Sequence, residues 1–340
     1  MYMKKTLISS LLLVLVLSFN GCAKDILDEN TNDVSINTTD PTSIWAPLSS
    51  GIQSNLTSIC FNTVTTGFAV SDAGDILKTS DGGKTWKNIS LHTGDWYTSV
   101  YFASSTTGYI AGFNGIVLKT TDGGSSWKAL STGTVAHLNS VCFTDSLNGY
   151  AVGGDLMTDG GAILKTMDGG NTWTSISNNV KNWLYSVTFT DSVTGYAVGL
   201  GGNIIKTTDA GISWTSLKAD AADNFISVSF VDKNTGYAVG GKNNDTGIIL
   251  KTVNAGATWS SIQTKTRQVK SVYFLNSSVG YASSFDANQN GTILKTINGG
   301  TTWKTDANDL KGGYLTSMFF TGTNCGYAVG SGGVMFKYGE

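Results

Sequence analysis

A tryptophan recurs along the sequence at intervals of 41 to 46 residues, and two other marks recur with it. The tryptophans are Trp45, Trp86, Trp127, Trp173, Trp214, Trp259 and Trp303. A glycine followed by an aromatic residue occurs at Gly67, Gly108, Gly149, Gly195, Gly236, Gly280 and Gly326. A serine three positions before a phenylalanine occurs at Ser58, Ser99, Ser140, Ser186, Ser227, Ser271 and Ser317. A repeat of this length is typical of propeller blades.

Each repeat contains three short segments in which apolar residues alternate, such as "TSVYF", "GYIAG" and "IVLKT", bounded by Gly, Ser, Thr or Asp. A fourth strand is expected to begin at the tryptophan. The third segment carries apolar residues on both faces, as at Val117 and Leu118, which suits a sheet covered by a neighbour on each side. The sequence therefore predicts an all-β chain that forms a seven-bladed β-propeller of four-stranded antiparallel blades.

The two ends of the repeat region are complementary. The last repeat has three strand segments but stops before any tryptophan, whereas "TTDPTSIW" near the start ends on Trp45 without preceding strands. We expect this N-terminal outer strand to join the three C-terminal strands and close the ring, which removes an exposed sheet edge. The predicted propeller domain spans residues 38–340.

The N-terminus has the pattern of an export signal. Lys4 and Lys5 precede the apolar run "LISSLLLVLVLSF", which is too short for a membrane-spanning helix. The run ends in "FNGC", which resembles the lipobox of bacterial lipoproteins. We expect residues 1–21 to be a lipoprotein signal peptide, Cys22 to be the lipid attachment site and residues 22–37 to be a flexible tether. Plain cleavage near Ala23 is the alternative. Either predicts an extracytoplasmic protein, and lipidation predicts one anchored to a bacterial membrane, at the outer membrane or cell surface.

The turn sequence "TSDGGKTW" recurs six times with close similarity. The carboxylate of Asp81 can accept backbone N–H groups within the turn, and Gly82 and Gly83 permit positive φ. The turn resembles the Asp-box, Ser/Thr-x-Asp-x-Gly-x-Thr-Trp, of sialidase-type propellers, with Asn254 and Asn298 replacing the Asp in two copies. The copies begin at Thr79, Thr120, Thr166, Thr207, Thr252 and Thr296.

Repeats that combine "GYAVG" with "ILKTxDGGxTW" look like the photosystem II assembly-factor-like propeller family over residues 38–340. The resemblance implies a seven-bladed fold and a role as a scaffold in the assembly of a membrane complex. It also implies an arginine-rich patch for partners. This chain departs from that feature, because Arg267 is its one arginine.

Binding is predicted from the column of positions where the repeats differ most, three residues before each conserved serine. The following residue is apolar in every repeat, so by period two the variable side chains face the other way, toward the channel mouth. Aromatic, amide and imidazole groups suit a protein or glycan ligand. The alternative is that the rings only plug the channel. The predicted ligand-binding residues are Asn55, Trp96, His137, Trp183, Asn224, Gln268 and Tyr314.

A lysine recurs in the third strand of every repeat. Invariance in all seven repeats favours a structural role, in which the aliphatic stem covers a neighbouring tryptophan and the ammonium lies near acceptors of the box turn. A basic ring for an anionic partner is the alternative. The lysines are Lys78, Lys119, Lys165, Lys206, Lys251, Lys295 and Lys337.

Catalysis is expected to be absent. A sialidase grips its substrate carboxylate with three arginines, which a chain with one arginine cannot supply. Another glycosidase would need two carboxylates across the mouth, and this alternative stays open. The carboxylates in suitable loops are Asp95, Asp155, Asp159, Asp223 and Asp286.

Charge and composition bear on the remaining partners. The net charge is −2 and no run of Lys or Arg supplies the basic field that nucleic-acid binding needs. The two histidines, His92 and His137, occupy different positions in their repeats, and the cysteines show no CxxC spacing, so neither a metal nor another cofactor is expected. We expect a monomer that meets the membrane only through its lipid anchor.

Overall fold

The computed structural model describes residues 44–155, 160–176, 180–219, 223–242 and 246–339. They form seven separate four-stranded antiparallel sheets arranged as the blades of a propeller, as predicted. Blades 1 to 6 follow in chain order, and blade 7 combines strands from both ends of the chain. The predicted signal peptide, Cys22 and the tether lie outside the described residues.

In blades 1 to 6 the strands run in chain order from the channel outward, and in blade 7 the first three do. The innermost strands are β2 (Leu56–Phe61), β6 (Tyr97–Phe102), β10 (His137–Phe143), β14 (Leu184–Phe189), β18 (Asn224–Phe230), β22 (Ser271–Phe274) and β26 (Leu315–Gly322). The second strands are β3 (Gly67–Ser71), β7 (Gly108–Gly112), β11 (Gly149–Gly154), β15 (Gly195–Gly199), β19 (Gly236–Lys242), β23 (Gly280–Phe285) and β27 (Cys325–Gly330).

Two further sets complete the blades. The third strands are β4 (Ile76–Thr79), β8 (Val117–Thr120), β12 (Gly161–Thr166), β16 (Ile204–Thr207), β20 (Thr246–Thr252), β24 (Gly291–Thr296) and β28 (Met335–Tyr338). The outer strands are β5 (Lys87–Asn88), β9 (Lys128–Leu130), β13 (Thr174–Ser175), β17 (Thr215–Leu217), β21 (Ser260–Gln263), β25 (Lys304–Leu310) and, in blade 7, β1 (Trp45–Leu48). In blades 1 to 6 the outer strand begins one residue after the tryptophan.

Ring closure follows the prediction. The strand order of blade 7 is β1-β28-β27-β26, with Trp45 opposite Tyr338 and Leu48 opposite Met335. Trp45 is buried and its Nε1 donates to Asp306 Oδ2 of blade 6 at 3.0 Å. The N-terminal strand therefore completes blade 7 and also ties it to blade 6.

The recurrent sequence marks are explained by one packing unit between blades. In blade 3, the Phe143 ring stacks on Tyr109 of blade 2 at a centroid distance of 3.8 Å and meets the edge of Trp173 at 6.1 Å. A Cβ on Gly149 would lie 2.4 Å from the Phe143 ring, so a glycine is needed there. The Gly-Tyr, Ser-x-x-Phe and Trp marks thus supply the parts of a single interface.

The recurrent lysine takes part in a contact that we call the interblade latch. Lys119 Nζ and Tyr109 Oη both donate to the carbonyl oxygen of Gly169, in the box turn of the next blade, at 2.7 and 3.0 Å. The ammonium also lies 5.7 Å from the centroid of the Tyr109 ring. The structural role near box acceptors is confirmed, but the ring beneath the lysine is the tyrosine directly opposite it in the sheet. Equivalent lysine bonds to box carbonyls are made by Lys78, Lys165, Lys206 and Lys251.

The box turn is held by its own side chains, as predicted. Asp81 Oδ1 accepts from the Thr85 N–H at 2.9 Å and from Thr79 Oγ1 at 2.8 Å, and its Oδ2 accepts from Thr85 Oγ1 at 2.6 Å. These bonds, led by the Thr85 hydroxyl, lower the pKa of Asp81 to about 2. In blade 5, Asn254 keeps the turn, since its Nδ2 donates to Thr258 Oγ1 at 2.9 Å.

The strand directions define two faces of the ring. The "box face" carries the box turns and the loops between first and second strands. The "mouth face" carries the loops between second and third strands and the connections into each innermost strand.

Within the described part of the chain, no helix has the length and apolar character needed to cross a membrane.

Candidate functional site

A cavity of about 600 Å³ opens at the mouth face, inside the ring of innermost strands. We call it the mouth cavity. Among the residues that line it are the recurrent serines and, one position before each, a variable column. A narrower cavity of about 170 Å³ continues below it. The variable column consists of Thr57, Thr98, Asn139, Tyr185, Ile226, Lys270 and Thr316.

Part of this lining column serves to join blades. Thr57 Oγ1 donates to the carbonyl of Tyr97 at 2.9 Å, and Thr98 Oγ1 donates to that of Leu138 at 2.6 Å. Asn139 and Thr316 make the same kind of bond to the next innermost strand. The chemistry of the cavity therefore differs from blade to blade mainly at Tyr185, Ile226 and Lys270, which sequence reasoning missed.

Lys270 supplies the positive charge of the mouth cavity. Its Nζ lies 5.7 Å from the ring centroids of both Phe285 and Tyr314 and donates to Gln268 Oε1 at 2.6 Å. Burial lowers the pKa of this ammonium. The two rings and the amide thus fix a cation at the rim of the cavity.

The predicted site column lies at the mouth, and the apolar residue after each member is fully buried, as expected. Asn224, Gln268 and Tyr314 line the mouth cavity. The amide members also hold backbone of the preceding blade, because Asn55 Oδ1 accepts from the Gly332 N–H at 2.9 Å and Asn224 Oδ1 from the Gly201 N–H at 3.0 Å. Gln268 Nε2 donates to the Gly241 carbonyl in the same way, at 3.3 Å.

Three members of the column come together in one continuous row of rings. Trp96 lies 5.1 Å from Phe113, Phe113 stacks on His137 at 3.9 Å, and His137 meets the edge of Trp183 at 5.5 Å. We call these four residues the aromatic ridge. It crosses blades 2, 3 and 4 at the mouth face.

The ridge combines a rigid base with an exposed end. A Cβ on Gly154 would lie 2.1 Å from the Trp183 ring, so Trp183 packs flat on the backbone of blade 3. The Nδ1 atom of His137 is buried and has no hydrogen-bond partner within the described ranges, and burial lowers the pKa of the imidazole. Both features favour the neutral form of the His137 imidazole. Trp96, by contrast, is 52% exposed.

Phe113 was not predicted because it lies outside the column. It opens the 3-10 turn Phe113–Gly115 between β7 and β8, in which Asn114 has a φ of 56°. Equivalent turns begin with Leu200 and Ser331, so an aromatic residue at this turn sets blade 2 apart. A groove of about 650 Å³ runs beside it, lined in part by Asp95, Leu130 and Val135.

Tyr314 does not join the ridge. It belongs to blade 7 and contacts Phe285 of blade 6 at 5.6 Å. The predicted aromatic members therefore form two patches, the aromatic ridge on blades 2 to 4 and the Lys270 cluster on blades 6 and 7.

Two of the candidate carboxylates lie in separate grooves outside the mouth cavity. Of the predicted set, Asp95 lines the groove beside Phe113, and Asp286 lines a groove of about 440 Å³ with Arg267 on blade 6. Neither these two nor Asp155 and Asp223 are among the described residues that line the mouth cavity. Asp159 lies outside the described residues. Within the same ranges, no three His, Cys, Asp or Glu side chains are grouped to hold a metal ion.

A comparison with protein families decides the relationship. The family described as photosynthesis system II assembly factor YCF48 matches residues 37–180 and again 171–312. The chain belongs to the YCF48 family. Solved YCF48 structures share its fold. One is the structure of YCF48 bound to D1 peptide, which is 18% identical to this chain and has a TM-score of 0.70. The match covers 89% of this chain and 100% of the YCF48 chain. Another, of YCF48 from Cyanidioschyzon merolae, is 20% identical with a TM-score of 0.68 and covers 88% and 99%.

Propellers of other kinds share the fold as well. The GH74 enzyme of Niastella koreensis is 19% identical with a TM-score of 0.71, and the match covers 87% of this chain but 53% of the enzyme. A search of curated proteins returned no match. The assignment of this chain to the YCF48 family therefore rests on the sequence match. The likeness to the GH74 enzyme shows the propeller fold alone.

Proposed function

We propose that this YCF48-family propeller is a non-catalytic binding scaffold, held outside the cytoplasm by a lipid on Cys22, which binds a segment of a partner protein at its mouth. The observation that carries the proposal is the aromatic ridge of Trp96, Phe113, His137 and Trp183. Large rings on a rigid base are the groups that anchor protein segments with little loss of conformational entropy.

A protein partner is favoured over a glycan by the solved structure of a relative, YCF48 bound to D1 peptide. The ridge offers stacking surface for an apolar or aromatic side chain, and the groove beside Phe113 leaves room for the backbone that carries it. Lys270 at the cavity rim favours a partner segment that also bears an acidic group.

The absence of catalysis is supported by the placement of the carboxylates. A glycosidase needs two carboxyl groups on opposite sides of one bond. Here Asp95 and Asp286 lie in separate grooves, on blades 2 and 6, and the single arginine shares the second groove. This arrangement favours binding over hydrolysis.

The membrane anchor is inferred from the sequence. The apolar run after Lys5 ends at Gly21 and Cys22, where acylation would fasten the mature chain to a membrane. Mass spectrometry of the chain purified from bacterial membranes should show the acyl groups on Cys22, and an unmodified chain cleaved near Ala23 would refute the anchor.

Binding is tested on peptide and glycan arrays with the mature chain, Trp96→Ala and Trp183→Ala. Ile212→Ala is the control, because Ile212 is an exposed apolar residue on the box face, away from the ridge. We expect peptide binding that both tryptophan variants lose and the control keeps, with circular dichroism confirming that each variant is folded. Unchanged binding in both tryptophan variants would remove the site, and binding confined to glycans would remove the protein partner.

A further inference from the structure

The exposed apolar side chains of the described residues are unevenly divided between the two faces. Eleven large ones are exposed, and eight of them lie on the box face. The other three, Leu91, Trp96 and Val135, lie in connections on the mouth face. The eight are Ile44, Val64, Leu147, Met167, Val193, Ile212, Val253 and Ile297. The box face is thus the more apolar face, although the candidate binding site is on the opposite one.

Five of these side chains lie at the box turns of consecutive blades, or at the equivalent point of blade 7, and we call them the apolar arc. Each is between 62% and 72% exposed. The corresponding turns of blades 1 and 2 carry polar residues such as Ser80, Lys84 and Thr121. The apolar arc consists of Met167 in blade 3, Ile212 in blade 4, Val253 in blade 5, Ile297 in blade 6 and Ile44 in blade 7.

Charge changes along the arc. The box turns of blades 1 to 4 contain an aspartate, whereas those of blades 5 and 6 contain Asn254 and Asn298. The loss of the carboxylate coincides with Val253 and Ile297, the residues immediately before these asparagines. The two turns that carry an apolar residue and no aspartate are those of blades 5 and 6, and blade 6 is the neighbour of blade 7.

The N-terminal segment leaves the ring at this same place. Ile44 precedes β1, whose first residue, Trp45, pairs with Tyr338 at the box-face end of β28. Cys22 precedes Ile44 by 22 positions, which in a fully extended chain span at most about 75 Å. A lipid on Cys22 would hold the protein to its membrane from the box face.

We infer that the apolar arc rests on the lipid bilayer that holds Cys22, with its side chains in the interfacial region and the mouth directed away from the membrane. This orientation rests on the anchor proposed above. Single apolar side chains on separate turns suit a deformable lipid surface, whereas a stable interface between two copies needs a continuous, well-packed area. The turns of blades 5 and 6 have no aspartate to bring to the lipid surface, and the ammonium groups of Lys206 and Lys251 are already bound to carbonyls of these turns.

The test uses the full acylated chain in vesicles of phosphatidylethanolamine and phosphatidylglycerol. A nitroxide is placed at Val253→Cys in the arc and at Val135→Cys on the mouth face, with the unsubstituted chain as the labelling background. We expect position 253 to be protected from an aqueous nickel relaxant and accessible to oxygen, and position 135 to be freely accessible to nickel. In a variant with Ile44, Met167, Ile212 and Ile297 all changed to Thr, position 253 should lose its protection.

The outcomes separate the orientation from the anchor. Equal nickel accessibility at 253 and 135 in acylated, vesicle-bound chain would overturn the orientation and leave the anchor intact. Protection at 253 that persists without vesicles, together with a dimer by light scattering, would assign the arc to a second copy and also overturn it. A chain without acyl groups that does not float with vesicles would overturn both.

Discussion

The interblade latch and the site column occupy the two ends of the same blades, yet they differ in how strictly they repeat. At the box end, one tyrosine and one lysine of each of blades 2 to 5 donate to one carbonyl of the next blade, as Tyr109 and Lys119 do to Gly169. At the mouth end, equivalent positions hold an asparagine, a histidine or a tryptophan. Residues that recur in every blade build the ring, and residues that differ are free to serve other purposes.

Divergence alone does not identify a binding residue, however. Asn55 and Asn224 belong to the divergent column but accept hydrogen bonds from turns of the preceding blade. Trp96 also belongs to it and remains 52% exposed beside Phe113. Function is better assigned to divergent residues that keep an accessible surface.

The largest expected effect would break the ring itself. Trp45→Ala removes a buried ring that packs on Tyr281 and Phe320 and donates to Asp306, so the free energy of unfolding should fall by about 3–5 kcal/mol. Chemical denaturation measures the change. Trp96→Ala should cost less than about 0.5 kcal/mol, because its side chain is half exposed. A larger loss of unfolding free energy in Trp96→Ala than in Trp45→Ala would contradict the assignment of Trp45 to ring closure and Trp96 to binding.

A smaller effect should come from the interblade latch. Lys119→Met or Tyr109→Phe alone leaves one donor on the Gly169 carbonyl, and each should cost about 1 kcal/mol. The double variant leaves that carbonyl without either donor, so its loss should exceed the sum of the single losses. Lys128→Met, an exposed lysine of the same blade, is the control. Strict additivity in the denaturation midpoints would show that the two donors act independently.

The smallest effect concerns pH. The pKa of Asp81 is lowered from 3.8 to about 2, so its carboxylate stabilises the folded state above pH 4 and this contribution is lost as the pH falls toward 2. Asp81→Asn should therefore show a smaller decline in unfolding free energy over that window. Asn298→Asp, which restores an aspartate to a box that lacks one, should show a larger decline. Parallel pH profiles for both variants would contradict the proposed role of the carboxylate.

The fold could be predicted almost completely because the residues that recur in the sequence are the ones that make the contacts between blades. Phe143, Gly149 and Trp173 each fill one place in an interface that is built in every blade, so their spacing reports the number of blades. The ring beside the lysine ammonium, Tyr109 for Lys119, was not predicted. Counting by twos along the hairpin would have placed Tyr109 opposite Lys119.

The site could be predicted only in part. The column led to Trp96, His137 and Trp183, but Phe113 completes the ridge from a turn between other strands, and its place against His137 depends on the angle between two blades. Lys270 lies two positions after Gln268, so the same period-two argument would have found it. Sequence spacing relates residues within a blade far better than residues of neighbouring blades.

The central claim is that the aromatic ridge binds the partner segment, whereas the recurrent residues of the interblade latch take no part in binding. The most direct test is a calorimetric titration with a peptide selected on the array, comparing Trp96→Ala with Lys119→Met. We predict that Trp96→Ala weakens binding by about 2 kcal/mol, or about 30-fold in Kd, with unchanged unfolding, whereas Lys119→Met binds like the wild type. Wild-type affinity in Trp96→Ala, or an equal loss in Lys119→Met, would contradict the account.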